Sequence, residues 1–269
     1  MELITLSYAG VTALEYKQMT EKQSSVMTGG LKKKINYASS LNPVFLKEKL
    51  KEKEISTVTI LEDEYPHLLK EIYDPPYILY LKGDSSLLNR DMLGVVGSRK
   101  AGAYTRKSLE TLIPELKEYV IVSGLAYGAD ETAHTVSLIN DVKTIGILAF
   151  GHDIHYPKTT EKTRQIIEDK GLTISEYPPH STIEKWKFIG RNRIISGLSK
   201  GILVTEAEEN SGSLITLDMA LNENRSGMCL PGNITSALST GTNKRIQEGA
   251  KSVLSSSDII QELNPDYLV

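Results

Sequence analysis

From about residue 60 onward, apolar runs of strand length alternate with segments of helical length, and few folds accommodate that rhythm. The runs are Ile78–Leu81, Leu93–Val96, Val120–Val122, Thr144–Phe150, Leu172–Ser175, Ile202–Thr205 and Met228–Leu230. Between most of them lie the helical-length segments Tyr104–Leu116, Asp130–Ile139, Lys158–Lys170, Ile183–Leu198 and Leu214–Asn224. Strands and helices in alternation connect through right-handed crossovers into a parallel sheet covered on both faces. The near-continuous apolar character of IGILAF and ILV suits strands buried on both sides. The expected class is α/β, with a mostly parallel sheet and helices on both faces.

The first sixty residues have another texture. They carry nine lysines against six acids and show short helical patches. Leu3, Leu6, Tyr8, Leu14, Val44, Phe45, Leu46 and Leu50 are candidates for a small helical core, and Asn42-Pro43 reads as a helix start. The expected division is a helical domain over residues 1–58 and an α/β domain over 59–269.

At 269 residues, with 24% charged and 40% hydrophobic side chains, the chain fits neither a disordered, a collagenous nor a disulfide-scaffold class. Its single cysteine, Cys229, sits in an apolar stretch and reads as a core residue in a reducing compartment. The opening MELITLSYAG lacks the basic region of a signal peptide, and no apolar run reaches the ~20 residues of a spanning helix. A cytoplasmic protein without membrane contact is expected.

The net charge of −3 argues against a generally basic surface for nucleic acid, but the distribution is uneven. Residues 97–107 hold Arg99, Lys100, Arg106 and Lys107 with no acid; residues 185–193 hold Lys185, Lys187, Arg191 and Arg193, again with none. These are either two unrelated solvated faces or, if the fold joins them, one local anion site.

In open parallel sheets ligands bind outside the carboxyl ends of the strands. The segments that follow the strand-length runs are rich in small residues: Gly97-Ser98-Arg99, Ser123 to Asp130, Gly151-His152-Asp153, Glu206 to Ser213, and Pro231-Gly232. Glycine admits an anion to backbone N–H groups, a following helix adds its positive end, and Ser98, Ser211 and Ser213 offer hydroxyls. Each loop is also readable as an ordinary tight turn. The standard dinucleotide and NTPase fingerprints are missing. In KWKFIGRNR, Trp186 and Phe188 alternate with cations and the Asn192 amide, a pattern that permits base stacking beside phosphate contacts or, equally, core packing.

Metal and catalytic readings are weaker. His152, Asp153 and His155 lack further ligands nearby, and His134 lies four residues after Asp130, a spacing that suits a structural hydrogen bond. No nucleophile elbow occurs. Glu206, at a strand end, is the one carboxylate worth testing for catalysis.

Together these stretches resemble the DNA processing protein A family (DprA, also called Smf). The resemblance rests on GSRKAGAYTRK (97–107), SGLAYGADETAH (123–134), FGHDIHYPKTT (150–160), RNRIISGLSKGILVTEAEENSGSLIT (191–216) and PGNITSALSTGTNKRIQEGA (231–250), with the lead-in YPHLLKEIYDPPYILYLKGD (65–84). It covers about residues 60–263 and implies an extended Rossmann-like domain, preceded by a small sterile-alpha-motif-like helical domain. It also implies binding of single-stranded DNA without turnover, protection of incoming strands and loading of the recombinase RecA during natural transformation. The implied assembly is a homodimer, and no cofactor, metal or catalytic residue is implied.

Carried over, Ser98 and Arg99 hold phosphate, Lys158, Lys185 and Lys187 are further cationic contacts, and Phe188 faces a base. Arg191, Asn192 and Arg193 line or support the pocket, and Ser211, Gly212 and Ser213 form another phosphate-contacting turn. Two departures stand out: Gly128-Ala129-Asp130 replaces the common Gly-Ile-Asp, and only the tail NPDYLV follows residue 263, without the winged helix of longer members.

Two other classes compete with the mediator. One is a nucleotide N-glycosidase of the phosphoribohydrolase type, whose Pro-Gly-Gly-x-Gly-Thr-x-x-Glu loop is here Pro231-Gly232-Asn233-Ile234-Thr235. The other is a protein-interaction scaffold that binds no DNA.

Overall fold

The computed structural model describes residues 2–21 and 28–264, so the last five residues of the NPDYLV tail lie outside the described residues. Four helices come first: α1 (Leu3–Tyr8), α2 (Ala13–Thr20), α3 (Gly29–Ser40) and α4 (Pro43–Glu52). Thr12 and Glu15 form a capping box on α2, and Asn42 caps α4 with Pro43 in the first helical position. Leu6, Leu46 and Leu50 point inward as expected, joined by Ile4, Leu31 and Ala38. Leu14, Val44 and Phe45 do not; they are exposed. On α4 the inward stripe is the i,i+4 pair Leu46 and Leu50, and Val44 and Phe45 fall off it.

The helices do not close their core alone. Ile55, Tyr77, Ile78 and Tyr80 complete it, the Tyr77 hydroxyl donating to the Val11 carbonyl at 2.8 Å and that of Tyr80 to Ser7 Oγ at 2.8 Å.

Nine strands form one sheet among the described residues: β1 (Ser56–Thr59), β2 (Ile78–Gly83), β3 (Met92–Val96), β4 (Val120–Ser123), β5 (Thr144–Leu148), β6 (Leu172–Ser175), β7 (Gly201–Val204), β8 (Ser226–Cys229) and β9 (Lys251–Ser252). Their order is β1-β2-β6-β5-β4-β3-β7-β8-β9. β2 pairs antiparallel with both β1 and β6 near one edge, and the other pairings are parallel. The remaining helices are α5 (His67–Lys70), α6 (Ala103–Leu112), α7 (Ala129–Ile139), α8 (Glu161–Lys170), α9 (Lys185–Leu198), α10 (Gly212–Asn222), α11 (Thr240–Gln247) and α12 (Ser256–Leu263).

The central strands feed two cores by their period of two. Val120, Val122, Ile202, Val204 and Cys229 face α5, α9 and α10, whereas Leu93, Val95, Ile121, Leu203 and Met228 face α6, α7 and α12. After β3 the chain builds outward through β4, β5 and β6, then returns to lay β7 on β3's other side. That reversal opens a crevice beyond the carboxyl ends of β3 and β7, where loops leave in opposite directions. No helix among the described residues is long and apolar enough to cross a membrane.

Candidate nucleic-acid interface

The β3–α6 loop forms one wall of the crevice. Gly97 starts it, because a Cβ there would collide with Thr205 Oγ1 and lie 2.7 Å from the Ala129 Cβ. The Ser98 N–H donates to the Glu206 carbonyl at 2.7 Å, and the Ser98 carbonyl accepts from Ala101 and Ala129. Ser98 Oγ accepts from the Lys100 N–H at 3.1 Å, so its hydroxyl tightens the turn. Gly128, at φ 76°, lets the next loop pass under this one; a Cβ would stand 2.5 Å from the Ser98 oxygen. The outcome is an exposed Arg99 that has no carboxylate partner among the described residues, beside Lys100, which pairs with Glu208 at 3.2 Å.

α9 and the start of α10 form the facing wall. Phe188, Arg191 and Asn192 share one face of α9 through i,i+3 and i,i+4 spacing. With Ser98, Arg99 and the Ser211-Gly212-Ser213 turn they line a cavity of about 420 Å³. Ser211 caps α10, its hydroxyl 2.8 Å from Ser213 Oγ, and the first turn of that helix carries no acid. The positive end of the helix therefore faces the cavity without an internal counter-charge in its own first turn.

Arg191 is buried in the floor. Its guanidinium lies over Gly124, where any Cβ would overlap it, and pairs with Asp130 at 3.6 Å. Burial pushes the Asp130 carboxyl above the usual carboxylate range, with Arg191 and the Ala126 and Gly124 amides pulling it back. Arg191 Nε has no hydrogen-bond partner. Because Asp130 sits opposite Arg191, Arg99 and the α10 terminus are the parts of the cavity open to an anion. Phe188 also belongs to a ring cluster, its ring 5.9 Å from Tyr156, which stands edge-on to Phe150 at 6.4 Å.

Other cations named from the sequence lie elsewhere. Lys158 and Lys185 are exposed and do not line the cavity. Lys187 is buried, its ammonium bound to Ser181 Oγ at 2.9 Å, the Thr182 carbonyl at 2.8 Å and Glu184 at 2.8 Å. Arg193 is held between Asp74 at 2.9 Å and Glu176 at 2.6 Å. Two residues beyond Arg191 on a helix, it faces away from the cavity. Lys187 and Arg193 are thus internal ties, and neither lines the cavity that holds Arg99.

The sequence model of the family described as DNA recombination-mediator protein A matches residues 56–264. The chain belongs to that family. Among its relatives, DNA processing protein DprA of Streptococcus pneumoniae is 45% identical over 205 residues, spanning 76% of this chain and 73% of the relative. DprA of Bacillus subtilis is 41% identical over 216 residues, 79% of this chain and 73% of that one. The X-ray structure of the pneumococcal DprA superposes with a TM-score of 0.81 at 38% identity, over 97% of this chain and 96% of that one. A structure of DNA processing protein A from Helicobacter pylori, solved for its single-stranded DNA binding mode, gives 0.71 at 31% identity, over 80% of this chain and 97% of that one.

In this recombination-mediator family member Glu206, His134 and His152 are engaged internally, Asp153 pairs with Lys53 at the surface, and His155 is exposed. Glu206 turns from the cavity, accepting from Thr105 Oγ1 at 2.7 Å and the Gly102 N–H at 3.4 Å. His134 pairs with Thr144 at 2.7 Å rather than with Asp130, and His152 sits 3.1 Å from Thr173 Oγ1. Burial pushes both imidazoles down to about 3. Among the described residues no group of three His, Cys, Asp or Glu is placed to hold a metal ion. Sequence reasoning missed Asn210, Thr216 and Glu208 in the cavity wall and Tyr156 beside Phe188. The i+4 step from Gly212 to Thr216 was the one readable signal.

Proposed function

We propose that this chain binds single-stranded DNA in the crevice at the carboxyl ends of β3 and β7 and acts on it without turnover. The observation that carries the reading is Arg99, an exposed cation with no carboxylate partner among the described residues, facing the acid-free start of α10 across a cavity edged by Phe188. Phosphates suit the first two and a base suits the ring, a combination tolerant of sequence. Ser98, Arg99, Phe188, Asn192, Ser211, Gly212 and Ser213 make the contacts, and Arg191 supports them from below. Lys158 and Lys185 are peripheral. The Helicobacter pylori relative, with its single-stranded DNA binding mode, supports this reading.

Protection of incoming strands in the cytoplasm and loading of RecA belong to the same proposal, on the strength of family membership. So does a homodimer: with a net charge of −3, a single small pocket gains avidity when two are linked on one strand.

The test is a salt titration of binding to labelled oligo-dT. Arg99→Ala is expected to lower the slope of log affinity against log salt by about 0.7. Arg193→Met is expected to leave that slope unchanged. Equal slopes and affinities for wild type and Arg99→Ala would refute the assignment of the site. Release of free base from nucleoside monophosphates, lost in Glu206→Gln, would refute the absence of turnover.

A further inference from the structure

A second and larger cavity, about 820 Å³, opens between the N-terminal helices and α9. Its aromatic lining includes Tyr8, Tyr77, Tyr177 and Trp186. Trp186 is the chain's one tryptophan and is 54% exposed, a costly placement for so large an apolar ring. It is held in position: its indole N–H donates to Glu184 at 2.8 Å, and its ring stands edge-on to Tyr177 at 6.0 Å. The Lys187 ammonium lies 4.9 Å from the Tyr177 centroid and 5.6 Å from that of Trp186, fixing both.

The charges lining this cavity are engaged by the protein itself. Arg193 takes Asp74 and Glu176, Lys187 takes Glu184, Lys34 takes Glu15, and Glu223 accepts the Tyr73 N–H at 3.2 Å. The cleft therefore offers ring faces rather than free charge, which suits a planar uncharged group and not a phosphate. It also adjoins the anion cavity. Ile189 lines both, and α10 supplies Ile215 and Thr216 to the smaller and Met219 and Asn222 to the larger. Four residues along that helix are about 6 Å, a single turn.

We infer that this cleft takes nucleobases of the same strand whose phosphates lie at Arg99, with Trp186 as the stacking platform. The inference rests on the single-strand reading of the smaller cavity and extends the footprint over the Ile189 ridge. Bases turn inward to the rings while the backbone stays outside, away from Glu184 and Glu223.

The single tryptophan supplies the readout. Strand binding is followed by polarisation of a labelled oligo-dA, and occupancy of the cleft by tryptophan emission in the same sample. Expected are quenching of Trp186 as the strand binds, no quenching by an abasic oligonucleotide with the same phosphates, and affinity about tenfold weaker in Trp186→Ala. Trp186→Phe keeps a ring and restores most of that loss. Polarisation that reports binding while emission and the Trp186→Ala affinity stay unchanged overturns the cleft and leaves the crevice standing. Quenching by free adenosine as strong as by the strand overturns the continuity between the two cavities. No binding of the oligo-dA overturns both readings.

Discussion

Gly124→Ala puts one methyl group where the Arg191 guanidinium lies: the new Cβ would fall on the guanidinium itself and within 2.6 Å of Nη2. No small backbone shift absorbs that overlap, so the side chain must leave the floor. Asp130, with a side chain only 8% exposed, then loses its cation. Breaking a buried pair from one side costs about 3–5 kcal/mol. Arg191 can swing into the cavity and regain water, which places the loss near the lower end, about 3 kcal/mol. For a chain of this size that is a fall in Tm of roughly 6–12 °C.

The pH dependence has a definite sign. The Asp130 carboxyl already sits above its usual range, and loss of Arg191 raises it further. A raised carboxyl contributes stability that is present below the unfolded value and lost as pH rises through the folded one. The destabilisation by Gly124→Ala is therefore larger at pH 7.5 than at pH 5. Urea unfolding at both pH values measures it, and Asp130→Asn in the same background closes a double-mutant cycle. A loss below about 1 kcal/mol at pH 7.5, or the same loss with and without Asp130→Asn, would refute this account of the pair.

His134 and His152 are held neutral by burial at about 3, so each contributes stability that is complete above the unfolded value near 6.5 and declines as pH falls toward 3. At pH 5 the loss is about 2 kcal/mol per histidine. Urea unfolding between pH 7.5 and 5 checks it, and a flat profile would contradict the burial argument. Gly128→Ala places a Cβ 2.5 Å from the Ser98 oxygen at a φ of 76° and is expected to cost about 1–3 kcal/mol while displacing the loop that carries Arg99. Gly212→Ala, with open space around its Cβ, is expected to be neutral or stabilising by up to about 1 kcal/mol in thermal unfolding.

The strands β2 to β8 were legible because burial makes most of each a nearly unbroken apolar run. β1 and β9 were not. Ser-Thr-Val-Thr buries only Val58 well, and β9 has two residues, so neither leaves a hydrophobic signature. At the site, the Gly-Ser-Arg and Ser-Gly-Ser turns and the Phe188–Asn192 stretch meet around one cavity. The same basic run does not form a single surface. Helical spacing separates residues 188, 191 and 192 from 186, 189, 190 and 193, and these sets face two different cavities, with Ile189 shared. The seat of Arg191 on Gly124 was beyond sequence reasoning, since it joins residues far apart in the chain through a contact only the folded sheet creates. Asp130 shows the converse: its helical neighbour His134 suggested a local pair, and the long-range Arg191 took it.

The tyrosines at the sheet's antiparallel edge bear on how this molecule can be dissected. Tyr77 and Tyr80 are buried under the first helices and give their hydroxyls to Val11 and Ser7. β1 already belongs to the sheet from Ser56. Expressing the sheet portion from residue 59 would cut through β1 and leave two rings and Ile78 facing water. That apolar window would make such a fragment sticky for reasons unrelated to DNA. A fragment meant to report on strand binding should instead keep the first helices, which cover these rings and also wall the larger cavity.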